Sequence, residues 1–133
     1  DGIDIKDNIT IRDYIEKMDL CLMACDVVIS RAGALSVAET TVCGKAAILI
    51  PSPNVTGNHQ YYNAKSVADR GGAFLIEEKD LDLQEVTGYV LKLKNDRELL
   101  RGMSEACLAC APVRALDIIC GTIAGDFRET EKR

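Results

Sequence analysis

Short apolar runs alternate with amphipathic stretches along this chain, and the alternation predicts strands and helices in turn. Residues 9–11, 27–29, 46–50 and 73–76 read as strands. Residues 18–25, 35–43, 60–70 and 83–93 carry apolar positions at helical spacing, and the third of these ends at Gly71-Gly72. Runs such as VVI and AAILI are apolar throughout rather than every second residue, as expected of strands buried on both faces. The consistent architecture is α/β, a Rossmann-like parallel sheet with flanking helices. Two more helices, at about 97–111 and 113–124 on either side of Pro112, complete the pattern. Residues 1–125 form one domain in this reading, and the charged stretch DFRETEKR, 126–133, is expected to fray.

Composition narrows the function classes. A chain of 133 residues is one ordinary domain, able to bury roughly two thirds of its unfolded surface. A net charge of −5 without clustered Lys and Arg argues against a nucleic-acid partner and for a small ligand. No apolar run has the roughly 20 residues of a membrane span, and the opening DGIDIKDN has neither the basic end nor the apolar core of a secretion signal. An intracellular protein, cut from a longer one because the chain starts without Met, is the expectation. The six cysteines fall at helix-face spacings or among Val, Ala and Ile, so they read as buried reduced thiols. Cys107 and Cys110 match C-x-x-C, but at the end of a helix, where the dipole does not favour a thiolate.

The stretch 30–63, SRAGALSVAETTVCGKAAILIPSPNVTGNHQYYN, holds the candidate chemistry. In open α/β sheets ligands bind beyond the carboxyl ends of strands, where loops enter helix N-termini. Gly33 is expected to allow a tight turn there, leaving amides near Ala34, Leu35 and Ser36 to hold a diphosphate. Glu39, one turn into that helix, can accept both hydroxyl protons of a ribose diol. The alternative is an ordinary helix with Ser36 near its cap and a solvated Glu39. In the second loop, Gln60 and Asn63 at i and i+3 share a helix face suited to sugar hydroxyls. His59 beside them is either a sugar ligand or a surface or capping residue. Asp80-Leu81-Asp82 matches the metal-binding D-x-D pattern, but Asp82 with Glu85 reads as a capping box.

SRAGALSVAE, an apolar strand and NHQYYNA together resemble the C-terminal, donor-binding domain of the bacterial MurG glycosyltransferases, over nearly the whole chain. The resemblance implies part of a GT-B fold with UDP-N-acetylglucosamine as donor. It further implies an inverting transfer of N-acetylglucosamine to the 4-hydroxyl of MurNAc in lipid I, with no metal or other cofactor. It assigns Ile15 to the uracil edge, with Tyr14 as its wall, and Glu39 to the ribose. Gly33, Ala34 and Leu35 fall near the diphosphate and donor sugar, and His59, Gln60 and Asn63 on the sugar. Arg31 either touches phosphate or braces its loop.

The family's Gly-rich loop, first two strands and N-terminal domain are missing from this sequence. The general base and the lipid I acceptor site are expected in that domain, so the chain alone is expected to bind donor weakly and not turn over. The whole enzyme is expected on the cytoplasmic face of the plasma membrane as a peripheral protein. In the strand order 3-2-1-4-5-6, residues 9–11 would be separated from 27–29 by the two missing strands. Either the first strand collapses onto 27–29, or open edges pair between protomers into a homo-oligomer. Two other readings are the small subunit of a two-chain dolichol-pathway GlcNAc transferase and a non-enzymatic flavodoxin-like binding module.

Overall fold

The computed structural model describes residues 9–130. The opening segment DGIDIKDN and the final residues 131–133 lie outside them. Three strands, β1 (Val27–Ser30), β2 (Ala46–Leu49) and β3 (Ala73–Leu75), form a parallel sheet in the order β1-β2-β3. The register pairs Val27 with Ala46 and Ala47 with Ala73. Helix α1 (Met18–Ala24) precedes β1, α2 (Ala34–Val42) links β1 to β2, and α3 (His59–Ala68) links β2 to β3. Then follow α4 (Leu83–Asn95), α5 (Arg97–Leu108) and α6 (Ala115–Thr130).

Alternate residues of the strands feed two cores, one on each face of the sheet. Ala47, Leu49 and Ala73 pack with Ala64 and Val67 of α3, against Val37 of α2. Ala46 packs on the opposite face with Leu93 of α4 and Leu100 and Met103 of α5, where Val27 and Phe74 join it. All four β2 residues are buried, as the continuous apolar run predicts for a central parallel strand. Phe74 is covered by Tyr89 of α4, the rings stacked at 4.1 Å.

Helices α2 and α3 end in the same device. Gly44 and Gly71 take left-handed backbone conformations, φ 58° and 81°. Lys45 N–H then donates to the Thr40 carbonyl and Gly44 N–H to Thr41, while Gly72 and Gly71 repeat both bonds on Val67 and Ala68. These are two Schellman turns, each feeding a strand. The C-terminal half of α5 lies across both. A side chain on Gly44 would meet Leu108 at 3.2 Å, and one on Gly72 would meet the Cys107 backbone at 2.7 Å. The buried Cys107 belongs to the α2/α3 core, whereas Leu100 and Met103 belong to the other, so α5 closes both cores at the amino ends of the strands.

Asp96 separates α4 from α5 and caps the latter, its carboxylate accepting from Leu99 N–H at 2.9 Å. Asp96→Ala is expected to cost about 1 kcal/mol of stability, read as a lower urea midpoint. Asp82 caps α4 as expected, accepting from Gln84 N–H. The reciprocal half of the capping box is not made, because Glu85 instead accepts from the Tyr89 hydroxyl at 3.0 Å.

Residues 9–11 form no strand, contrary to the reading of the sequence. Ile9 and Ile11 are 50% and 66% exposed, and the described backbone there pairs with nothing. Residues 9–11 have not collapsed onto β1, which among the described residues pairs with β2 alone. The helix expected at 113–124 is present and its span reaches Thr130, with Leu116, Ile118, Ile119 and Ile123 exposed. Among the described residues no helix is long and apolar enough to cross a membrane.

All six cysteines are unpaired, but they are not all buried. Cys107 is enclosed, whereas Cys21 and Cys120 are exposed. Burial pushes the Cys107 thiol up to about 11 from an ordinary 9.0. Its folded-state pKa therefore lies above its unfolded one, so its contribution is intact below pH 9 and is lost as pH rises toward 11. Iodoacetamide at pH 8 is expected to label Cys21 and Cys120 first and Cys107 only on unfolding. Peptide mapping at timed intervals checks this, and early labelling of Cys107 would contradict its burial.

Candidate functional site

The strands are parallel, so their carboxyl ends lie at one rim of the sheet, where three loops gather: 31–33 after β1, 50–58 after β2 and 76–82 after β3. The first runs into α2 with Gly33 as its N-cap residue. Gly33 has φ −62° and ψ 150°, a conformation open to any residue, so the expected need for glycine in a tight turn is not what the backbone shows. A side chain there would meet only Ser36 Oγ, at 3.8 Å. What glycine provides is open space in front of the helix. No side chain caps α2, and its first intrahelical bond runs from Val37 N–H to the Gly33 carbonyl, so Ala34, Leu35 and Ser36 precede the hydrogen-bonded ladder.

Glu39 is exposed on α2, and its carboxylate makes no hydrogen bond or ion pair with another described residue. It lines a largely apolar groove of about 280 Å³ between α1 and α2, whose walls include Met18, Leu22 and Val42. Sequence reasoning missed Met18 and Leu22, which carry no signal beyond helical periodicity. Tyr14 and Ile15 lie just before α1 and do not line that groove; Tyr14 is 78% exposed and Ile15 37%.

The second loop reaches α3 through two consecutive left-handed residues, Gly57 at φ 63° and Asn58 at φ 54°. His59, the first residue of α3, is exposed, and its ring lies over Gly57, where an added side chain would touch Cε1 at 3.0 Å. Gln60 and Asn63 do share a face, and each is tied to a different loop. Gln60 Oε1 accepts from Ser52 N–H at 2.9 Å, and Asn63 Nδ2 donates to the Ala32 carbonyl at 3.1 Å. Each bond fixes the orientation of its amide, because only the oxygen can accept and only the nitrogen can donate. Gln60 is left with its NH₂ and Asn63 with its carbonyl oxygen for a ligand. Asn63 also shares a cavity of about 260 Å³ with Ala34, between α2, α3 and Pro112. Asn63 and Ala34 are therefore adjacent, while Glu39 faces a separate groove toward α1.

Arg31 braces its loop. Its guanidinium donates to the Ile50 carbonyl at 3.4 Å and forms an ion pair with Glu78, beyond β3. Among the described residues no group of three or more His, Cys, Asp or Glu is placed to hold a metal ion. Asp82 of the D-x-D pattern is engaged at the α4 cap.

A parallel sheet covered by helices, with loops leading from the carboxyl ends of its strands into α2 and α3, is the architecture of a Rossmann-like half of a GT-B glycosyltransferase. The chain belongs to the glycosyltransferase family 28 C-terminal domain, which residues 2–115 match. It is 42% identical over 105 residues to the UDP-N-acetylglucosamine--N-acetylmuramyl-(pentapeptide) pyrophosphoryl-undecaprenol N-acetylglucosamine transferase of Caldicellulosiruptor saccharolyticus, covering 79% of this chain and 28% of that one. The transferase of the same name from Clostridioides difficile is 41% identical over 119 residues, 90% of this chain and 29% of that protein. The crystal structure of Acinetobacter baumannii MurG superposes with a TM-score of 0.68 at 32% identity, over 77% of this chain and 29% of the other. The chain thus spans under a third of the length of these relatives.

Proposed function

We propose that this chain is the donor-binding part of an inverting transferase that moves N-acetylglucosamine from UDP-N-acetylglucosamine to the MurNAc 4-hydroxyl of undecaprenyl-diphosphate-MurNAc-pentapeptide. The observation that carries the reading is the open entry to α2. Gly33 leaves the helix N-terminus uncovered, with amides at Ala34, Leu35 and Ser36 available to a diphosphate. A helix N-terminus carries about half a positive charge, which would also steady the charge growing on departing UDP. Glu39, uncommitted in the structure, takes the ribose diol, and the apolar groove beside it accommodates the nucleoside end. Ile15 and Tyr14 read the uracil from the segment before α1. Gln60 offers a donor and Asn63 an acceptor to the sugar, both already oriented, and His59 completes that side.

The relatives' names support this donor and acceptor, and the proton-abstracting base and acceptor site are assigned to the remainder of such an enzyme. That enzyme would work as a peripheral protein on the cytoplasmic membrane face. The edge of β1 that no other described strand pairs is where the rest of the sheet, or a second copy of this chain, would pair.

Titration of the ¹⁵N-labelled 133-residue chain with UDP-N-acetylglucosamine tests the reading. Weak saturable binding is expected, with the largest amide shifts at 33–39 and 59–63. An unchanged spectrum at millimolar donor would overturn it.

A further inference from the structure

We infer that Glu78 is a positioning residue which, through Arg31, sets the geometry of the loop facing the donor diphosphate; this rests on the donor-binding reading above. Arg31 follows β1, Ile50 follows β2 and Glu78 follows β3, so one guanidinium spans the carboxyl ends of all three strands. Its link to Glu78 joins residues 47 apart in sequence. Arg31 immediately precedes the Ala32 carbonyl held by Asn63 and the Gly33 that opens α2. Two ties therefore fix this loop, one from the sugar-side helix and one from beyond β3. Backbone amides bind a diphosphate only if they converge on it, so a loop pinned at both sides keeps donors aligned that a free one would disperse.

The same ion pair makes a prediction of sign. Glu78 is a negative charge near an anion-binding loop, and removing it on electrostatic grounds alone would strengthen donor binding. A positioning role predicts the opposite. The pair is also exposed, with side chains 51% and 37% accessible, so it contributes little to global stability.

The experiment compares the wild-type chain with Glu78→Gln and with Glu77→Gln, whose carboxylate pairs with Lys79 and not with Arg31. Without donor, Glu78→Gln is expected to shift the amides of residues 32–36 while Glu77→Gln leaves them in place. With UDP-N-acetylglucosamine, Glu78→Gln is expected to weaken binding about fivefold at an unchanged urea midpoint. Undisturbed 32–36 amides in Glu78→Gln, or equal effects from Glu77→Gln, would overturn the inference. Tighter donor binding in Glu78→Gln would overturn it too, and would make Arg31 a direct phosphate ligand that Glu78 restrains. If the wild-type chain binds no donor, the donor reading fails, and the donor-free amide shifts still decide whether Glu78 sets the loop.

Discussion

Replacing Gly72 by alanine is expected to destabilise the domain by about 3 kcal/mol, seen as a lower urea midpoint and a melting temperature reduced on the order of 10 °C. The new methyl group would lie 2.7 Å from Cα and 2.8 Å from N of Cys107, and 2.9 Å from a methyl of Val67. Two of those atoms are backbone within α5, so relief requires the helix to move, and α5 holds residues of both cores. Gly71→Ala serves as the comparison. An added methyl group there meets nothing within 4 Å, but φ is 81°, so the cost is backbone strain of about 1 kcal/mol. Equal losses from the two substitutions would mean that crowding against α5 is not what requires glycine at 72.

Glu39→Ala is expected to leave stability unchanged, since the side chain is exposed and engages no described residue, and to weaken UDP-N-acetylglucosamine binding by about 2 kcal/mol, roughly 30-fold in Kd. In the wild-type titration the shifts should approach saturation; in the variant they should stay nearly linear with donor. The 2′-deoxy form of the donor separates causes. If Glu39 binds the ribose diol, the wild-type chain discriminates against the deoxy ligand and Glu39→Ala does not. Discrimination that persists in the variant would move the ribose to another group.

The periodic part of the fold was legible. Each strand from 27–29 onward and each helix from α1 to α5 appears within a few residues of the span predicted from apolar spacing, because burial imposes that spacing, whereas α6 runs past the expected end at 124 to Thr130. Residues 9–11 were not, since a strand exists only with a partner to complete its ladder, and an isolated Ile-Thr-Ile says nothing about whether one is present. Gly33 illustrates a second limit. Its place before a helix was readable, but whether glycine serves the backbone or the space beyond depends on φ and on neighbouring atoms. The i, i+3 spacing placed Gln60 and Asn63 on one face, yet their partners, Ser52 and Ala32, lie 8 and 31 residues away. The Arg31–Glu78 tie joins two exposed loops and leaves no periodic trace at all.

The position of α5 has a consequence for how the chain folds as it is made. Both cores are closed from below by residues between Leu100 and Cys107, although the last sheet strand ends at Leu75. At synthesis rates of about 5 to 20 residues per second, that leaves roughly two to six seconds in which the strands exist without their floor. A nascent sheet of this kind is open to chaperones and to wrong partners, and the Schellman turns ahead of β2 and β3, being local, can hold its shape in the interval.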